Sequence, residues 1–103
     1  MAESSEDPTT PDVIVDDAHR RLELVRGDER AELRYRVDGN QLVMEHTEVP
    51  ESWGGQGVGG RLVLAAATKA AREGLELESE CPFATKWMEK HPDELRDAGD
   101  VGA

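Results

Sequence analysis

The sequence predicts an α+β domain with a mixed, mostly antiparallel sheet in three layers, one long helix after a glycine turn and a short C-terminal helix. Three observations carry this. Three stretches of alternating polar and apolar residues follow one another, joined at Gly27-Asp28 and Asp38-Gly39-Asn40. A glycine-rich segment, Gly54-Gly55-Gln56-Gly57-Val58-Gly59-Gly60, then opens a run with apolar residues at helical spacing. A fourth alternating stretch follows that run, so the third and fourth strands are joined by a crossover and pair in parallel.

The elements can be taken in order. Residues 1–12, with Pro8, Pro11 and four acids, lack apolar periodicity and read as a disordered acidic tail. The domain is expected over 13–97, with 98–103 as a frayed end. Leu22 and Leu24 alternate with polar neighbours in the first strand, as do Ala31, Leu33, Tyr35 and Val37 in the second. In the third, Gln41–Val49, simple alternation places Leu42, Met44 and His46 on one face; Pro50 ends it, having no N–H for the ladder.

Val58, Leu62, Ala65, Ala66 and Ala70 fall on one side of a helix running to about Arg72, which Gly74 stops. Residues 75–81 alternate as the fourth strand, with Cys81 on its apolar side. Pro82 breaks that strand. A short helix over 83–90 should turn Phe83, Trp87 and Met88 inward, with His91 at its end meeting backbone carbonyls, and 93–97 should add a last helical turn.

A chain of 103 residues is the size of one domain. Its net charge of −11 lies mainly at the ends: residues 1–19 hold six acids and no Lys or Arg, and 20–92 carry only −2. No basic run beyond Arg20-Arg21 occurs, which argues against nucleic acid as a partner. The acidic ends read as solubilising tails, with a docking surface for a basic partner as a weaker alternative. Cys81 is the only cysteine, so no intrachain disulfide can form, a Cys-rich metal site is excluded, and a reducing, cytoplasmic location is expected. No segment resembles a secretory leader or a membrane span.

Five glycines over 54–60, where a helix begins, leave bare backbone and unpaired N–H groups at the positive end of a helix dipole, a seat for phosphate oxygens. Neither the Walker pattern nor the dinucleotide pattern is matched, and three hairpin-linked strands precede the turn where a Rossmann unit has one parallel strand. A ligand-free flexible connection is the competing reading of the glycines alone.

Gly54-x-x-Gly57-x-Gly59 opening the long helix, together with His46-Thr47-Glu48-Val49-Pro50, Cys81-Pro82-Phe83 and His91-Pro92, resembles the small single-domain branch of the Gcn5-related N-acetyltransferases (GNAT), of YjdJ type, over about residues 20–95. The resemblance implies a GNAT-like fold with acetyl-CoA as co-substrate, an amine acceptor, no metal, and a monomer or homodimer. It implies that backbone around Thr47 and Val49 meets the pantetheine arm. The N–H groups of the turn Gly54, Gly55, Gln56, Gly57, Val58, Gly59 and Gly60 would hold the pyrophosphate. Two positions depart from the wider superfamily: Gly54 stands where Arg or Gln is usual, and Trp87 is the nearest equivalent of a Tyr general acid.

Two groups are candidates for the chemistry. Cys81 lies between a strand end and a helix start, a setting that favours thiolate, and as a nucleophile it would carry the acetyl group as a thioester. His46 is the candidate base, with Glu45 and Glu48 as possible proton acceptors on the other phase. Each also has a plainer reading, Cys81 as a small core residue and His46 as a residue of an apolar face. The enzyme reading is an N-acetyltransferase for a small amine or a protein lysine. Its alternative is a non-catalytic CoA- or acyl-CoA-binding or protein-interaction module.

Overall fold

Alternation becomes five strands rather than four. In a computed structural model, residues 13–54 and 57–100 are described, 99 and 100 by backbone only; the tail 1–12, Gly55, Gln56 and 101–103 lie outside the described residues. The strands are β1 (Ile14–Asp16), β2 (Arg21–Arg26), β3 (Glu29–Asp38), β4 (Gln41–Glu48) and β5 (Glu76–Ser79). They form one sheet in the order β1-β2-β3-β4-β5. The first three pairings are antiparallel and the last is parallel, as the crossover predicts. The unexpected β1 is three residues long, too short to show a period.

The helix of the crossover is α1 (Val58–Glu73), stopped by Gly74 in the left-handed conformation. Its face of Leu62, Val63, Ala66 and Ala70 buries against Leu22, Leu24, Leu33, Tyr35, Leu42 and Met44 of the sheet. Leu22, Leu33, Leu42 and Leu62 are fully buried, and each contributes about 2 kcal/mol to folding. Two further helices follow, α2 (Pro82–Lys90) and α3 (Pro92–Asp100). Helix α3 outruns the expected boundary at 97 because Ala98 is fully buried. It packs along α1, while α2 lies across the start of α1. Helices α1 and α2 lie against one face of the sheet, and α3 packs on α1 and α2. The other face carries Arg30, Arg34, Arg36, Glu45 and Glu48, mostly exposed.

One irregularity sets the phase of the site. Tyr35 pairs with Met44 but Arg34 pairs with His46, so Glu45 is an extra residue in β4, a β-bulge. Leu42 and Met44 point to the helices, and beyond the bulge it is Thr47, opposite Leu33, that faces them. His46, expected on the Leu42 face, instead pairs with Arg34 on the open face and is 58% exposed. The correction has a simple cause. An inserted residue shifts every later side chain to the other face.

Candidate functional site

Strands β4 and β5 part at the bulge. Their pairing runs from Gln41↔Glu76 to Met44↔Ser79 and closes with the Glu80 N–H donating to the Met44 carbonyl at 2.8 Å. Beyond that point β4 continues beside β3 alone to Glu48, while the other chain turns at Cys81 into α2. The result is a V-shaped opening with Thr47 on one arm and Cys81 on the other.

Cys81 is the N-cap of α2, and Pro82 occupies the first helical position, where its missing N–H costs nothing. The sulfur is buried and its Sγ lies 3.5 Å from Thr47 Oγ1. Ser79 Oγ donates to the Cys81 carbonyl at 3.0 Å and accepts from the Cys81 N–H at 3.2 Å. Thr85 Oγ1 donates to Ser79 Oγ at 2.9 Å, and the Thr85 N–H donates to the Cys81 carbonyl at 2.9 Å. These bonds fix the backbone of Cys81 from both sides. Burial pushes the thiol up, but the Thr47 hydroxyl and the backbone amides of Ala84, Phe83 and Thr47 outweigh it, and the thiol titrates below its ordinary value.

Sequence reasoning identified Cys81 and Thr47 but missed Ser79 and Thr85. The available signal was a hydroxyl two residues before and another four residues after a cysteine at a strand-to-helix junction. His46 is not part of this group. Its nearest acid is Glu48, with Nε2 3.9 Å from the carboxylate, on the opposite face from Cys81. His91, expected to meet carbonyls, does so: Nδ1 lies 3.0 Å from the Trp87 carbonyl. Its ring stacks on the Trp87 indole at 4.2 Å between centroids.

The glycine segment divides into positions with different reasons for glycine. Gly57, the N-cap of α1, has φ +71°, a conformation that side chains resist. Gly59 and Gly60 are glycine because α2 lies on them. A Cβ at 59 would fall 2.5 Å from Phe83 Cζ, and one at 60 would fall 2.4 Å from Trp87 Nε1. Phe83, expected inward, is 44% exposed and spends its covered side on Gly59. Gly54 has an ordinary φ and donates its N–H to Glu51 at the end of a 3-10 turn, Glu51–Trp53. Val58 buries its side chain in the core, and Val49 packs against that core partly buried. Gly55 and Gln56 lie outside the described residues.

The start of α1 fits an anion. Its N-cap supplies no side chain to the free N–H groups, and its first turn holds no acid. Beside it lies a cavity of about 260 Å³ lined by Gly57, Gly60, Arg61, Leu64, Trp87, His91 and Glu94. Arg61 brings a guanidinium to this turn, where Gly54 brings none. Among the described residues no cluster of His, Cys, Asp and Glu is arranged to hold a metal, and no helix is long and apolar enough to cross a membrane.

A parallel strand pair that opens beside a glycine-started helix, with the Cys81 sulfur at the opening, has the frame of a small α+β domain of the acyltransferase kind. Comparison with known proteins gives the family. Residues 21–98 match the model of the GCN5-related N-acetyl-transferase family, and the chain belongs to it. Protein NATD1 of Xenopus tropicalis is 32% identical over 92 residues, 85% of this chain and 84% of the relative. Human Protein NATD1 is 32% identical over 65 residues, 62% of this chain and 58% of the relative. The solution structure of a GCN5-like protein from Staphylococcus aureus superposes with a TM-score of 0.64 at 28% identity, covering 93% of this chain and 89% of that one.

Proposed function

We propose that this chain is an acetyl-CoA-dependent N-acetyltransferase that acts on an amine through Cys81, in the cytoplasm. The observation that carries the reading is the sulfur itself: Cys81 is the N-cap residue of α2 at the mouth of the V, its Sγ 3.5 Å from Thr47 Oγ1 and disposed to ionise. Acetyl-CoA supplies the acetyl group as an activated thioester. The β4 arm from Thr47 to Val49 offers backbone to the pantetheine chain, and Gly57 with the first N–H groups of α1 holds the pyrophosphate.

Within that frame the protein's own groups have defined tasks. Thr47 donates to the Cys81 thiolate, and the α2 N-terminus lowers the cost of its negative charge. The thiolate takes the acetyl group, and the departing CoA sulfur takes the proton that Cys81 gave up. The amine then takes the acetyl group and returns a proton to the Cys81 sulfur, restoring the thiol. His46 has no part in these steps, because it lies on the other face of the sheet.

The test is mass spectrometry of the intact protein after exposure to acetyl-CoA, alongside thermal melting and thiol release with a panel of amines. The expected result is a raised melting temperature and an acetyl adduct absent from Cys81→Ala, with the adduct discharged by amine. A raised melting temperature with neither adduct nor thiol release would leave a non-catalytic CoA-binding module. No shift in melting would sink the CoA reading altogether.

A further inference from the structure

Strand β5 ends the sheet, and among the described residues it has a strand on one side only. On that side the N–H groups of Glu76 and Glu80 donate to the Asn40 and Met44 carbonyls, each at 2.8 Å. Backbone groups alternate between the two edges of a strand. Those of Leu77 and Ser79 therefore point the other way, to the edge that carries no strand.

The two faces along this edge differ in character. Leu75 and Leu77 turn toward the helices and are partly buried against the core. Beside them runs an apolar groove of about 400 Å³, walled by Ala71, Met88 and Leu95 from the three helices. Arg96 at its rim is paired with Asp93. Glu76 and Glu78 turn to the open face, where both are exposed. The nearest arginine in that row, Arg36, is engaged by Glu80 at 2.8 Å and by Glu45 at 3.1 Å, and neither Glu76 nor Glu78 has an ion-pair partner among the described residues. Short, charged edges guard a sheet against chance pairing, and β5 is both. A guard needs no apolar groove along it.

We infer that the free edge of β5 accepts an extended segment of a partner protein as a sixth strand, one whose residues alternate between apolar and basic. Its backbone pairs with Leu77 and Ser79, its apolar side chains enter the groove beside Leu77, and its Lys or Arg side chains stand next to Glu76 and Glu78. A second copy of this chain fits worse. Two β5 edges set antiparallel would bring the Glu76 and Glu78 of one against those of the other, and like charges directly opposite destabilise a sheet. The far edge, β1, offers Ile14 and Asp16 to that face and no base. The edge lies on the side of β5 away from β4, so this surface does not rest on the function proposed above.

Fluorescence anisotropy on the full chain tests this, with a labelled peptide of about eight residues that alternates Val with Lys or Arg. Saturable binding is expected. The double variant Glu76→Lys, Glu78→Lys changes only exposed side chains and should weaken it at least tenfold, as should N-methylation of the peptide amides that face β5. Leu77→Pro removes an outward N–H that β4 does not use and should abolish binding. Where that variant fails to fold, the methylated peptide reports on the same bonds. Absence of saturable binding overturns the inference, and undiminished binding by the double variant overturns its place on the molecule. A methylated peptide, or a shuffled one of equal composition, that binds as well reduces it to a charge contact and overturns strand addition. Sedimentation equilibrium checks the occupant: a dimer of the chain alone that Leu77→Pro dissociates would put a second copy on the edge in place of a partner segment.

Discussion

The indole of Trp87 lies where a side chain on residue 60 would have to start: a Cβ there would stand 2.4 Å from Nε1 and 2.7 Å from Cε2. Gly60→Ala therefore forces α1 and α2 apart or tilts the ring, at about 1–3 kcal/mol. In a Trp87→Ala background the same change should cost almost nothing. Urea denaturation of the four proteins of this cycle checks it, and additive effects would mean that the two helices do not bear on each other there.

Thr47 sets the reactivity of Cys81. With Thr47→Val the sulfur loses the hydroxyl that its thiol donates to and that would donate to its thiolate, and alkylation by iodoacetamide below the thiol's pKa should slow about 2- to 10-fold. Thr47→Ser should keep the wild-type rate and pH profile. A merely structural role for Thr47 would leave the profile where it is while lowering the melting temperature.

Tyr35, Asp17 and Lys69 make stability depend on pH at both extremes. Burial, then the hydrogen bond to Asp17 at 2.7 Å, raises the Tyr35 phenol to about 12 from 10.0. The unfolded chain loses this proton first, so the stabilisation is full below pH 10 and is lost as pH rises toward 12, up to about 2 kcal/mol. Asp17 is held below 3.8 by Lys69, then by Tyr35, so its contribution is present above 3.8 and fades as acid protonates the folded carboxylate. Melting temperature against pH should fall at both ends, and Tyr35→Phe should flatten the alkaline fall.

Deletion of Glu45 removes the bulge without exchanging faces, because Met44, His46 and Thr47 would then alternate regularly. We expect the shortened chain to fold, with β4 straightened along β5 and the V narrowed. Acetyl-CoA affinity should drop at least tenfold while far-UV circular dichroism is kept. Unchanged affinity would show that the splay owes nothing to the bulge.

Much of this fold could be read from residues. Alternation located β2, β3, β4 and β5, and the glycine turns, the stop at Gly74 and the parallel crossover followed from local chemistry. The failures share a cause. His46 was assigned to the wrong face because a bulge carries no sequence mark; Glu45 is no different in type from its neighbours. Glu23 and Glu32 alternate as residues of a solvated face should, yet both are buried, since flanking arginines fold over them. Phe83 looked like core and Gly59 like a ligand-facing gap, because each position is explained only by the other. Cys81 and Thr47, 34 residues apart, were found separately; only the parting of β4 and β5 brings them together.

The aromatic contacts on Gly59 and Gly60 have a mechanical result. Helix α2 begins just after Cys81 and rests its rings on the opening turn of α1, so the thiol and the proposed phosphate seat meet at one joint. A shift of the α1 turn as phosphate settles would be passed by Phe83 and Trp87 to the helix that carries Cys81, letting one end of a long cofactor set the sulfur that meets the other.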